Sequence, residues 1–308
     1  MFSKEIKSII DLVKAFPTEQ SCIDYLEAIR WNEIIISPFD ATSKVYKCKG
    51  NKYRCKNTNK YFNVKTGTIF DNSKLELQKW FFAIWIVTAH KKGISSLQLS
   101  RDLDITQKSA WFMLQRIRNC FGIDIEKGDG IVEIDETYVG GDNKNKSNSK
   151  RAELHANGAQ TGGKHKTPVI GILEREKGVK AVVIPKGSAN GKNIKPIIAN
   201  NVPASSEIVT DGFGAYAGLN NHTIVNHAKG EYAKGIYHTN TIEGFWSLLK
   251  RGIYGIYHQV SHKHLQKYVN EFAYRYNSRN ATDNSRFNDL LSNIENRLTY
   301  KELTWKEN

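Results

Sequence analysis

At 308 residues, 40% of them apolar, the chain is long enough for about two domains with proper cores, which excludes a low-complexity or disordered protein. Its 45 Lys and Arg against 31 Asp and Glu leave a formal net charge of +14, pointing to a polyanionic partner, nucleic acid first. Four scattered cysteines, Cys22, Cys48, Cys55 and Cys120, exclude a disulfide framework, and the longest apolar run, Trp80 to Ala89, is about half a membrane span.

The N-terminal MFSKEIKSIIDLVK lacks a cleavable signal pattern, so a cytoplasmic protein with no membrane partner is expected. Residues 2–30 read as one or two amphipathic helices around the break at Pro17. From Ile34 to Phe70 short β-type runs follow, IIIS, KVYKC, KYRC and KYFNV, separated by Gly50-Asn51 and by Asn57 to Asn59. Between Lys44 and Lys65 this ribbon holds eight basic residues and no acid, with Tyr46, Tyr53, Tyr61 and Phe62 interleaved. Lys49, Lys52 and Lys56 are its candidate phosphate contacts. Zinc is not expected here, because Cys48 and Cys55 form no CxxC pair and no second pair exists.

Lys74 to Lys92 reads as a helix apolar over most of its circumference and therefore buried, with Gly93 ending it. The segment after it has the layout of a helix-turn-helix: Ser95 or Ser96 as N-cap, a break at Asp104, then Thr106 capping a second helix. In that reading Gln107, Lys108 and Ser109 face base edges and Arg116 and Arg118 meet phosphates. A plain helical hairpin with a basic face fits the same letters.

Past Gly130 the run IVEIDETYVG is a strand in which Asp135 and Glu136 stand where apolar residues belong, an expensive arrangement without a function. Asp142 to Lys166, rich in Gly, Asn, Ser and Lys, reads as a flexible loop. TPVIGILER and VKAVVIP form a hairpin, Asn190 to Asn200 a short helix or one broken at Pro196, SEIVTDGFGAY a strand ending at Asp211, and TIVNH a fifth strand. A helix over HTNTIEGFWSLLKRG closes the series. Glu243 and Lys250, seven apart, share one face of it, with Asn240 on that face too and read as its N-cap. Ile242, Phe245, Trp246, Leu248 and Leu249 supply the core-facing stripe.

Three adjacent strands, a helix, two more strands and a helix is the order of a ribonuclease-H-like α/β domain. In that topology the first and fourth strands lie side by side and the later helix crosses them, so Asp135, Asp211 and Glu243 can meet. Three converging carboxylates repel one another, and two divalent cations relieve the repulsion. Mg²⁺ is expected, with Mn²⁺ able to substitute, as two ions about 4 Å apart supporting an in-line displacement at phosphorus.

The blocks VEIDETYVGG, VTDGFGAY and HTNTIEGFWSLLKRGIYGIYHQVS, followed by EFAYRYN, resemble the bacterial insertion-sequence transposases of the ISXO-like family, within the DDE group. TGTIF, KKGISS and TQKSAWFMLQRIR upstream resemble the same family, so the likeness runs from about Val45 to Asn277. It implies Asp135, Asp211 and Glu243 as catalytic, metal-holding carboxylates, with Asn240 the rival third residue. It also implies Lys250, with Arg251 beside it, at the DNA end. Family members carry an N-terminal zinc ribbon with two CxxC pairs. Here those positions read Ser37-x-x-Asp40 and Cys55-x-x-Thr58, and only Cys55 survives.

The expected organisation is N-terminal helices and a degenerate zinc ribbon over 1–70, a helix-turn-helix-like region over 71–125, a ribonuclease-H-like catalytic domain over 126–280 and a helical tail over 281–308. The implied function is transposition by DNA cleavage and strand transfer. Its partners are double-stranded DNA, as terminal inverted repeats and target, and at least a second copy of the chain. A catalytically inactive, transposase-derived DNA-binding protein and a structure-selective nuclease of the same fold are the alternatives. In the cell such a bacterial protein is nucleoid-associated when bound to DNA.

Overall fold

The computed structural model of the chain describes residues 5–32, 34–122, 130–141, 147–156, 166–184, 188–226, 230–231 and 233–305. The chain divides into two compact units, one formed by residues 1–121 with 280–308 and the other by 122–279.

In the first unit, helices α1 (Ile9–Ala15) and α2 (Glu19–Trp31) flank Pro17 and are started by Ser8 and Thr18, whose side chains accept backbone N–H bonds. A small antiparallel sheet follows, β1 (Val45–Cys48), β2 (Lys52–Cys55) and β3 (Tyr61–Phe62). Its first turn uses Gly50 and Asn51 at positive φ, where these two residue types are tolerated. The expected strand IIIS does not form. Ile34 and Ile36 are exposed, and Ile34 N–H instead bonds back to the Trp31 carbonyl, so apolar character alone does not make a strand here.

What holds the ribbon is an aromatic cluster: Trp31 meets Tyr53 edge-on at 5.2 Å and Phe62 at 6.1 Å. Around buried Cys55, desolvation opposes ionisation, but hydrogen bonds from Ser37, Ser43 and Thr58 outweigh it and bring the thiol down to about 6. Asp40 accepts from Thr42 and Asn57. Polar side chains thus bond one another where the resemblance implies metal ligands.

Helix α3 (Leu77–Ala89) is buried along nearly its whole length, and α4 (Ser96–Asp102) and α5 (Gln107–Arg118) form a helical pair capped by Ser95 and Thr106. Asp104, at φ +48°, makes the turn between them. The C-terminal helices α10 (Asp283–Ser292) and α11 (Tyr300–Thr304) belong to this unit. Phe287 of α10 is fully buried against Phe81 and Trp85, so residues far apart in sequence close one aromatic core.

The second unit is built on a five-stranded mixed sheet of order β6-β5-β4-β7-β8. β5 (Thr167–Glu174) runs antiparallel to both of its neighbours, β4 (Ile131–Val139) and β6 (Gly178–Val183), whereas β7 (Glu207–Thr210) and β8 (His222–Ile224) run parallel to β4. β7 is shorter than SEIVTDGFGAY suggested: after Asp211 the chain turns into a 3₁₀ turn over Gly214–Tyr216. A helix, α6 (Asn148–Ala156), stands inside the segment expected to be a loop. Residues 142–146 and 157–165 of that expected loop lie outside the described residues.

Helix α7 (Gly191–Asn201) continues through Pro196 and covers one face of the sheet, packing on Val132, Ile134, Ile170 and Ile172. Helices α8 (Asn240–Gly252) and α9 (His262–Asn277) cover the other, on Val139, Val169, Leu173 and Val179. β5 lies between the two cores, which explains its unbroken run VIGIL.

At the end of α8, Gly252 lies so close to the buried ring of Phe272 that a Cβ there would clash with the ring's Cζ. Ala is the better helix former by about 1 kcal/mol, yet overpacking costs about 1–3 kcal/mol or more. Gly252→Ala is therefore expected to destabilise the unit, read as a lower urea midpoint.

Candidate active site

Strand β4 carries acids on both of its faces. Alternation sends Glu133, Asp135 and Thr137 toward α8, and Glu136 with Val132 and Ile134 toward α7. β7 pairs with β4 only as far as Val209 opposite Glu133. Carrying that register two positions further sets Asp211 beside Asp135, where β7 has ended and β4 continues. At this step Glu136 reaches round the strand, and oxygens of Asp135, Glu136 and Asp211 lie within 4.8 Å of one another. They open into a cleft of about 400 Å³ that Glu243, Trp246 and Lys250 also line.

Burial, then the charges of Glu136 and Asp211, push the Asp135 carboxyl from its ordinary 3.8 up to about 7. The Trp246 indole N–H donates to Asp135 Oδ2 at 2.9 Å and orients it. Room for that indole comes from Gly171, directly across from Asp135 on β5, where a Cβ would sit 2.6 Å from Trp246. Burial also raises Glu136, opposed by the Tyr216 hydroxyl, which donates to it at 2.7 Å. Tyr216 itself is held in its protonated form by burial and by Glu136.

Helix α8 is anchored by Glu133, which is fully buried. Its carboxylate accepts the backbone N–H groups of Thr241 and Ile242 at 3.0 Å and the Thr241 hydroxyl at 2.8 Å, and pairs with Arg175 at 2.7 Å. Arg175 also donates to the carbonyls of Ile236 and His238. A negative group at a helix N-terminus satisfies free amides and complements the dipole. The reading of Asn240 as N-cap is thereby corrected. Asn240 is the first helical residue, Thr239 precedes it without a side-chain cap bond, and the acceptor comes from β4. Asn240 is exposed and is not among the residues lining the cleft.

Glu243 projects one turn into the helix and accepts from Thr239 at 3.3 Å. It lines the cleft outside the tight group of three. Lys250, two turns on, is exposed at the same cleft, and exposed Arg251 bonds back to the Ser247 carbonyl.

The candidate DNA contacts of the first unit divide. Lys49, Lys52 and Lys56 are exposed on the ribbon, and Gln107 and Lys108 are exposed at the start of α5 with Ser109 half-buried. Gln107 bonds Ser96, and the Lys108 ammonium lies over the Tyr300 ring at 5.0 Å. Arg116 and Arg118 are corrected. They are 5% and 2% exposed, and Arg116 is spent on the carbonyls of Ile69, Asp71 and Leu298, so neither faces a phosphate backbone. Both lie on the core side of α5, where the Arg116 guanidinium satisfies buried carbonyls.

Four residues of the site were not assigned there from sequence. Glu136 stands out in the sequence as an acid in a strand, but alternation argues against its joining Asp135. Glu133, two residues before Asp135 and on the same face, is a signal that the sequence does carry. Trp246 reads from the sequence as core, and Tyr216 as part of a strand.

A domain model described as ISXO2-like transposase domain matches residues 127–277. A protein of Halobacterium salinarum, described as an uncharacterized protein in transposable element ISH50, is 30% identical over 275 residues, covering 85% of this chain and 92% of that protein. Among the described residues no helix is long and apolar enough to cross a membrane.

Proposed function

The chain belongs to the ISXO2-like transposase family, and from that membership we propose that it moves an insertion sequence by cut-and-join DNA chemistry at the cleft of its ribonuclease-H-like unit. The observation that carries the reading is the meeting of Asp135, Glu136 and Asp211 at the step between two parallel strands, with Glu243 and Lys250 on the cleft wall. In this reading water hydrolyses a phosphodiester at the element end and frees a 3′-hydroxyl. That hydroxyl then attacks a target phosphodiester, expelling the target's own 3′-oxygen, so no covalent enzyme intermediate is needed.

The donor set fits a divalent cation. Its atoms are carboxylate oxygens, and burial, followed by the charges of Glu136 and Asp211, raises the Asp135 carboxyl to about 7, an arrangement that a cation would relieve. Asp135 and Asp211 with Glu243 are assigned to hold Mg²⁺ or Mn²⁺, and Glu136 stands beside them. Such an ion, when bound, stabilises charge developing on the phosphoryl oxygens and eases deprotonation of the attacking hydroxyl. The remaining work falls to the chain. Trp246 fixes the rotation of Asp135, Tyr216 that of Glu136, and Lys250, about 10 Å along the helix axis from Glu243, meets a phosphate. Joining two ends requires at least two copies of the chain on DNA.

Glu243 and Asn240 are separated by one experiment. With Mg²⁺ and a duplex carrying the element end, Glu243→Gln is expected to lower cleavage by about a hundredfold or more, the scale of losing one charged ligand. Asn240→Ala should keep most activity, because helix α8 draws its cap from Glu133. Full cleavage by Glu243→Gln together with a dead, folded Asn240→Ala moves the assignment to Asn240.

A further inference from the structure

The three-stranded sheet of the first unit has two unlike faces. Tyr53, Cys55 and Phe62 point inward and are buried. On the outer face the register sets Tyr46 opposite Arg54 and Arg54 opposite Tyr61, so the three side chains stand in one row across the strands. With strands about 4.8 Å apart, that row is about 10 Å wide. Tyr46 is 37% and Tyr61 59% exposed. The Arg54 guanidinium lies 5.6 Å from the Tyr46 ring centre and the Lys44 ammonium 5.5 Å from it. Lys52 shares the outer face with Arg54, and no acid occurs between Lys44 and Lys65.

Lysines alone would serve any phosphate backbone. Flat rings beside a guanidinium do something more selective, because they offer π-surfaces to the faces of bases, and in an intact duplex those faces are already stacked. A short flat sheet has no helix or wedge to open the stack. We infer that this face of the ribbon binds single-stranded DNA, stacking unpaired bases on Tyr46 and Tyr61 while Lys44, Lys52 and Arg54 hold the backbone. The inference rests on the proposed transposase reading only for the choice of DNA, since strand cleavage and joining expose unpaired ends.

The test uses the full chain in metal-free buffer, where no cleavage occurs, and follows fluorescence anisotropy of a labelled oligothymidylate and of a duplex of equal length. Base stacking on one ring is worth about fivefold to a hundredfold in affinity, so Tyr46→Ala and Tyr61→Ala should each weaken oligothymidylate binding by about fivefold or more and duplex binding by less than about twofold. Tyr46→Phe and Tyr61→Phe keep the rings and should bind as the parent does. Unchanged oligothymidylate binding in the double alanine variant, or equal loss for single strand and duplex, overturns the inference. Because the readout needs no catalysis, a chain that never cuts DNA leaves it standing, and a chain that cuts but ignores single strands sinks it alone.

Discussion

Asp135→Asn is expected to abolish metal-dependent cleavage and, in the same protein without metal, to raise stability at neutral pH. Activity falls because a neutral amide replaces a charged ligand at the centre of the cleft. Several kcal/mol of charge stabilisation at about 1.4 kcal/mol per tenfold make the loss about a thousandfold or more. Stability moves the other way. The folded carboxyl sits near 7 against an ordinary 3.8, so as pH rises through that window the unfolded chain releases a proton that the folded chain still holds. Stability is therefore lost between about pH 4 and pH 7, by up to about 4 kcal/mol from this group. Asn does not titrate, keeps an oxygen for the Trp246 indole, and removes this part of the slope. Urea unfolding in chelator at about pH 5 and about pH 8 reads the effect. A parent protein equally stable at both, or an Asp135→Asn chain that still cuts, contradicts this account of the site.

The second large effect belongs to Glu133, which touches no substrate in the proposed reaction. Glu133→Ala removes the acceptor of two helix amides and one hydroxyl and strands Arg175. Breaking a buried ion pair from one side costs about 3–5 kcal/mol, here toward the lower end because Arg175 is partly exposed. Adding Arg175→Ala should recover part of the loss, since the stranded cation goes with it; a double-mutant cycle by urea denaturation measures the coupling. Cleavage should fall as well, because the helix that positions Glu243 loses its anchor. Simple additivity of the two single variants would show that the pair does not act as a unit.

The two cases differ in how far they could be read from the chain alone. Glu243 and Lys250 are seven apart on one helix, and helical periodicity alone puts them on one wall; both line the cleft. Asp135 and Asp211 needed only the strand order, because a parallel register carries one to the other. Glu133 is different. Its partners are 108 and 109 residues away, and nothing in the local letters of α8 says that its cap is a carboxylate from β4. The sequence points to Asn240 as the cap because local side chains are the usual source of that acceptor. Arg116 and Arg118 depart from the sequence expectation for a related reason. A basic residue near a helix end is read as solvated, yet these two face the core, where the carbonyls of Ile69, Asp71 and Leu298 complete the Arg116 shell.

Periodicity, caps and turn residues are local, so the sequence by itself determined α1 to α5, the β5–β6 hairpin, the amphipathic face of α8 and the basic, acid-free character of the ribbon. Family membership, too, was legible from several blocks in one order. Tertiary structure alone decided that Glu136 joins Asp135 despite lying on the opposite face of β4, that Gly171 is bare so that Trp246 can reach a carboxylate, and that α10 closes the N-terminal aromatic core. Each depends on where one strand ends beside another or on a void left by a missing side chain. Such features arise when segments distant in sequence pack together, and the free energy of that packing is written in no single segment.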